Sequence, residues 1–338
     1  MRMLLTGMSI VALCATTMLL LPAPASAQVV ELLPNLRPFP AFNVQLGTST
    51  SSGPKEIRFS TRSWNSGDGP LELVAGGLDD SGGQNVFQRV YNSDGTFQDY
   101  FAGTFVYHPS HNHFHFGDYA LYSLDPVNAP GASSKNGSKT TFCVMDTNKI
   151  DGSLPGAPQN AVYATCGNQV QGMSVGWADT YGSQLAGQSV DFSGNPSGDY
   201  CLTITIDPKG RLQEIDETDN IVSSLLRVDL ASSTVTVLDP FTCNPARVQS
   251  ISPKTGKAGT QVNVVITGQN FAEGMPVTFG GGSGPAPSVS NVVVDPSGTT
   301  ITATVTIKKG KPGRDPVWDL HVGSGALGVL PNIFTVTP

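Results

Sequence analysis

The chain is 338 residues long, carries a net charge of −7 and has 13% charged residues, with 38 glycines and 25 prolines. This mild acidity argues against a nucleic-acid partner, which calls for clustered lysine and arginine, and leaves cationic substrates such as amines weakly attracted. Dense Gly/Pro punctuation favours short strands over long helices, and about 310 residues beyond a leader suggest two domains.

The chain opens with Arg2, an apolar stretch from about Met8 to Leu21, and Ala25-Ser26-Ala27 before Gln28. That order of positive start, short apolar run and small-residue site predicts an export signal over residues 1–27. The apolar run is too short for a membrane anchor, and Cys14, preceded by Leu13, is not read as a lipidation site. The mature chain is expected outside the cytoplasm, in the periplasm or the extracellular space, with no membrane anchor. Four cysteines remain after the signal: Cys143, Cys166, Cys201 and Cys243. An even number in an exported chain favours two disulfides. Three connectivities are open, and the near-neighbour pairs Cys143–Cys166 and Cys201–Cys243 are favoured. No two cysteines stand at CxxC spacing, so a zinc knuckle or redox pair is not expected.

Residues 28–244 form a first block. Short β-type runs recur at Glu56–Ser60, Pro70–Val74, Ala120–Ser123, Thr140–Met145, Tyr200–Ile206 and Asn220–Val228, separated by breakers such as Asn65-Ser-Gly-Asp-Gly and Ser93-Asp-Gly. No segment keeps a helical period, so the expected class is all-β, a β-sandwich.

Four of the five histidines fall in the run Tyr107-His-Pro-Ser-His-Asn-His-Phe-His115. Strand side chains alternate faces, so His111, His113 and His115 would share one face, with Asn112 and Phe114 on the other. Three imidazoles on one face suit copper or zinc, with positions left for water or substrate. His108 is out of phase with them and is the weaker candidate. Next come Lys139, in Ser138-Lys-Thr-Thr-Phe-Cys-Val-Met-Asp-Thr147, and a patternless stretch from Asn148 to Gly172 that reads as a long loop. Tyr181 ends Gly172-Met-Ser-Val-Gly-Trp-Ala-Asp-Thr-Tyr181, and an acidic cluster, Glu214-Ile-Asp-Glu-Thr-Asp-Asn220, follows the strand near Cys201.

The second block, residues 245–338, runs through Val248-Gln-Ser-Ile-Ser-Pro-Lys-Thr-Gly256, Gly259-Thr-Gln-Val-Asn-Val-Val-Ile-Thr-Gly-Gln-Asn-Phe271 and Thr300-Ile-Thr-Ala-Thr-Val-Thr-Ile307. Apolar residues alternate toward one sheet face, with Gly and Asn at the turns. This pattern resembles the IPT/TIG immunoglobulin-like module. The resemblance implies a spacer or a platform for a surface partner.

In their order, the motifs of the first block resemble the catalytic domain of the lysyl oxidase family. The His-x-His-x-His motif matches His111, His113 and His115. "K-x-x-F-C-x-x-D-T" matches Lys139 to Thr147, and "G-x-x-x-G-x-x-D-x-Y" matches Gly172 to Tyr181. The tail is echoed by Gly198-Asp-Tyr-Cys-Leu202, Asp207-Pro208 and Glu214–Asn220, and the opening by Leu33-Pro-Asn-Leu-Arg-Pro38.

The resemblance implies a copper amine oxidase that converts primary amines, peptidyl lysine among them, to aldehydes, using O2 and releasing hydrogen peroxide and ammonia. It implies copper(II) on His111, His113 and His115, and a lysyl tyrosylquinone made from Lys139 and Tyr181. Lys139 must be neutral to attack, so its amine should titrate below the ordinary value. A carboxylate base is also needed, and Asp179 is the candidate. The resemblance further implies calcium at Glu214, Asp216, Asp219 and Asn220, whose oxygens suit it, with Asn35-Leu36 adding an oxygen. The sequence departs from animal members at Ser110 and Trp177, where they carry cysteines, and at Met145 and Asn35, where the family has acids. Two other readings share the histidines: a secreted copper-binding or adhesion protein without the quinone, and a zinc hydrolase, which leaves Lys139 and Tyr181 unexplained.

Overall fold

A computed structural model describes residues 28–48, 53, 55–79, 83–109, 112–309, 316–323 and 325–338. The export-signal expectation therefore lies outside the described residues. The described chain is almost all β, and its sole helical element is the 3-10 turn Ala326–Gly328.

The first block builds three antiparallel sheets. One runs Val170–Met173, Leu71–Leu78, Gln84–Asn92, Phe97–His108 and His113–Phe116, with Glu31–Leu32 added to Gln84–Asn92. A second runs Lys135–Asn136, Ala120–Asn128, Gly198–Ile206, Ile221–Asp229 and Thr234–Asp239. The third is organised on Lys55–Asn65, which pairs with Leu36–Pro38, Phe42–Thr48, Trp177–Tyr181 and Ser189–Asp191. Alternation explains the inner faces: Tyr200, Leu202, Ile204 and Ile206 point inward along one strand, and Ile57 and Phe59 along another. These side chains meet Tyr122, Phe142 and Phe192 in a single core.

The run expected as a strand at Thr140–Met145 is not one. It crosses between layers, and its backbone is satisfied by more than one partner. Phe142 exchanges both its N–H and C=O with Phe116, Thr140 C=O accepts from Tyr119, and Val144 C=O accepts from Gly172. Alternation produced the β-like pattern, but Phe142, Cys143 and Val144 are all buried, which a crossing segment between two layers allows. The stretch after Asn148 is irregular as far as Val170, apart from the two-residue strand Asn148–Lys149. Both near-neighbour disulfides form: Cys143–Cys166 and Cys201–Cys243.

The second block has its own core, including Ile266, Ile301, Val305, Leu320 and Phe334. Two four-stranded sheets enclose it, and Thr255–Lys257 runs parallel to Val329–Thr337 in one of them.

Candidate active site

His108, His113 and His115 lie on a hairpin. Phe97–His108 and His113–Phe116 pair in antiparallel register, with His108 opposite His113 and Val106 opposite His115. Asn112, at φ 53°, takes the left-handed conformation of the connecting turn, which asparagine tolerates well. Its side-chain Oδ1 accepts from the Tyr107 hydroxyl at 2.8 Å. His111 and Ser110 lie outside the described residues.

His113 and His115 share a face as alternation predicts, their Nε2 atoms 2.8 Å apart. Two ring nitrogens at that spacing can share a proton, and they also stand close enough together to ligate one metal ion. His115 is buried, and its Nδ1 lies 3.2 Å from the Thr141 hydroxyl, a contact that fixes the ring's orientation. Phe114 turns the other way, onto Tyr107. His108 differs from the sequence reading. Its ring centroid lies 4.9 Å from that of His115, because directly opposed residues of a hairpin share a face. Counting parity along a single strand fails once a turn intervenes.

The crossing segment and the strand Trp177–Tyr181 supply the opposite wall. Tyr181 is half-buried, pairs in register with Thr61, and donates its hydroxyl to the Cys143 carbonyl at 2.7 Å. Phe142 meets its ring edge-on at 5.0 Å. Lys139 places Nζ 4.5 Å from the centre of the Tyr181 ring and 4.7 Å from that of Phe142. Burial pushes this amine down to about 8, against the opposing pull of Asp179. Burial, reinforced by Asp179, pushes the Tyr181 hydroxyl well above its ordinary value.

Asp179 stands two residues before Tyr181 on the same strand and is 3% exposed. It accepts from the Met145 N–H, while its Oδ2 is buried without a hydrogen-bond partner. Burial raises this carboxyl well above the usual range. His113, His115, Lys139, Asp179 and Tyr181 all line one cleft of about 270 Å3. A neighbouring cavity of about 300 Å3 is lined by His108, His115 and Lys139. The arrangement thus sets an amine of lowered basicity, a phenol ring, an imidazole pair and a carboxyl with one unpartnered oxygen around one space.

The acidic cluster makes a separate group. Glu214 is buried, accepts from Leu36 N–H at 2.6 Å and from the Asn220 side chain at 2.8 Å, and is pushed up to about 8, chiefly by burial. Asn35 donates to Asp219 at 3.2 Å. The side-chain oxygens Asn35 Oδ1, Asp219 Oδ1 and Asn220 Oδ1 are all buried without a partner. Unpaired buried acceptors are costly, and a hard cation would satisfy them. Asp216 sits on the exposed rim, its carboxylate accepting from Thr218. Asp207 and Glu217 lie on Glu214, with carboxylate oxygens of all three within 4.8 Å of one another. Asp207 enters the sequence-based expectation only within a dipeptide motif, and Glu217, a member of the acidic cluster, stays outside the calcium set. A sum of negative charge in that stretch was the available signal.

The lysyl oxidase family model matches residues 90–238, a span that holds the histidine hairpin, Lys139, Asp179, Tyr181 and the acidic cluster. The first block carries a lysyl oxidase domain. The IPT/TIG domain model matches residues 246–328, so an IPT/TIG domain follows it. Among similar proteins, lysyl oxidase homolog 1 of Homo sapiens is 32% identical over 120 residues, 35% of this chain and 20% of that protein. Lysyl oxidase homolog 4 of Bos taurus is 30% identical over 128 residues, 37% of this chain and 16% of the relative. Lysyl oxidase homolog 2 of Bos taurus is 29% identical over 124 residues, 37% and 15%. The chain spans no more than about a fifth of the length of these relatives. No helix among the described residues is long and apolar enough to cross a membrane.

Proposed function

We propose that this protein is an exported, copper-dependent amine oxidase that converts primary amines, lysine side chains of peptides or proteins included, to aldehydes. The observation that carries this reading is the Lys139 amine over the Tyr181 ring, 4.5 Å from its centre, in a cleft shared with His113 and His115. The overall reaction takes a primary amine, O2 and water to an aldehyde, ammonia and hydrogen peroxide.

His111, His113 and His115 would hold copper(II), and His108 borders the same space across the hairpin. Lys139 and Tyr181 would be joined through Nζ and a ring carbon into lysyl tyrosylquinone, with O2 as the oxidant. That group supplies an electrophilic carbonyl that takes up the amine's electrons and hands them to O2. The chain's own residues do the rest. Burial keeps Lys139 largely neutral above about pH 8, as a nucleophile must be. Asp179, with its free Oδ2 and raised proton affinity, takes the proton from the carbon beside the substrate nitrogen. The Cys143–Cys166 disulfide lines the cleft, and buried Phe142 backs the Tyr181 ring.

Calcium would sit on Glu214, Asp219 and Asn220 with Asn35, with Asp216 reaching in from the rim. The unpartnered oxygens support this. The IPT/TIG domain is read as a spacer or surface-binding platform.

The test is the visible spectrum of copper-matured protein after phenylhydrazine. The wild type should give a quinone adduct band, and Lys139→Ala and Tyr181→Phe should give none. Bound copper without a band in the wild type would overturn the oxidase reading and leave a metal-binding scaffold.

A further inference from the structure

Lys139 belongs to no sheet, so something must hold its four-carbon stem in place. The segment 182–188, which follows Tyr181 directly, lies against it. This segment is tied to the strand Lys55–Asn65 along its length. Arg58 donates through Nε to the Ser183 carbonyl at 2.9 Å and through Nη2 to the Leu185 carbonyl at 2.8 Å. Glu56 holds the same guanidinium at 2.7 Å. Ser183 N–H donates to the Ser60 hydroxyl at 2.9 Å, and Phe59 N–H to the Gln188 carbonyl at 3.2 Å. Within it, Gly187 stands at φ +74°. A Cβ built on Gly187 would come 2.7 Å from Lys139 Cβ and 2.9 Å from its Cδ. The first of these atoms is the root of the side chain, so a rotamer change alone cannot relieve the clash. Leu185 and Ala186 line the cleft beside it.

We propose that segment 182–188, pinned by Arg58, is a clamp on Lys139, and that Gly187 is a positioning residue. Its missing side chain lets the lysine stem lie in contact with the clamp, so that the amine comes to rest over the Tyr181 ring. The inference rests on the proposed Lys139–Tyr181 cofactor and assigns the geometry of its formation to residues outside the motifs. An orientation held in advance removes much of the entropic barrier to joining two side chains. A displacement of about 1 Å is enough to lower such a rate by about a hundredfold.

The experiment follows cross-linking of the Lys139 and Tyr181 peptides by mass spectrometry, in full-length protein expressed without copper and then loaded with Cu(II) in air. Copper content and Tm are measured on the same samples. Gly187→Ala should lower the cross-linking rate at least about tenfold with copper content unchanged. Gly194→Ala is the control: it imposes a similar left-handed strain at φ +81°, but its Cβ would meet nothing within 4 Å. This control should cross-link at the wild-type rate. Arg58→Leu, which releases the two loop carbonyls without adding bulk at the lysine, should slow cross-linking with Tyr181 and copper in place, and it decides the matter if Gly187→Ala fails to fold. Wild-type rates in Gly187→Ala or in Arg58→Leu overturn the clamp and leave the cofactor reading intact. A slow Gly194→Ala would mean that backbone strain, not contact with Lys139, is responsible, and this too overturns it. A wild type that never cross-links overturns both readings.

Discussion

A lysine amine lying over two aromatic faces gains a cation–π attraction of about 0.5–1 kcal/mol at exposed sites, but burial strips it of hydration. At Lys139 burial dominates, and the amine is pushed down from 10.5 to about 8. Between these values the unfolded chain binds the proton that the folded chain has lost, so this group makes stability rise with pH across that window. Below about pH 8 both states are charged and the penalty is fully present. Lys139→Met, which keeps the stem and removes the charge, should therefore raise Tm over that of wild-type protein expressed without copper, its lysine still free, in thermal unfolding at about pH 6, and the gain should shrink toward zero by about pH 10.5. An equal gain at both would trace it to packing rather than charge. Spacing made Lys139 and Tyr181 legible in the sequence, because both sit at fixed offsets inside unusual motifs. The burial of Asp179 was not legible, since alternation says that Asp179 and Tyr181 share a face but not how much chain covers it.

The crossing segment 139–146 shows how an element outside any sheet is held. Its last residue, Asp146, is buried and serves as an acceptor hub. Its carboxylate takes Val162 N–H at 2.9 Å, Tyr163 N–H at 3.2 Å, Ser174 N–H at 2.8 Å and the Ser174 hydroxyl at 2.7 Å. The motif aspartate therefore staples the irregular stretch before Val170 to the turn between Val170–Met173 and Trp177–Tyr181. Asp146→Ala leaves several buried donors unpaired, at about 1–3 kcal/mol each. Chemical denaturation should show a loss of at least about 3 kcal/mol, and proteolysis should open the chain between residues 148 and 170. A loss under about 1 kcal/mol would mean that water replaces the carboxylate. The sequence revealed the all-β class and most strands, because period-two alternation reports a half-buried sheet. It misassigned Thr140–Met145, where alternation coexists with burial on both sides. It also put His108 out of phase with His113 and His115, because a turn between two short strands restarts the face count.

Across the whole molecule, the buried oxygens without partners join parts of the chain that are far apart in sequence. Asn35 reaches Asp219 across 184 residues, and Leu36 reaches Glu214 across 178. These contacts fasten the short strand Leu36–Pro38 to the connection between Gly198–Ile206 and Ile221–Asp229. A cation bound there would stabilise the folded chain alone, since the unfolded chain cannot gather the ligands. At a free concentration of a hundred times Kd, such binding contributes about 2.7 kcal/mol. Added Ca2+ should raise Tm in calorimetry and EGTA should lower it. Asn220→Ala and Asp219→Ala should abolish the shift, while the adduct band of phenylhydrazine-treated wild-type protein should not depend on Ca2+ at temperatures where the fold is intact. An unchanged Tm in the wild type across that range would leave the three oxygens to buried water instead. The fastening would then rest on the Asn35–Asp219 and Leu36–Glu214 hydrogen bonds, with Arg37, whose Nε lies 2.9 Å from Asp219, adding a partly exposed ion pair worth no more than about 1 kcal/mol.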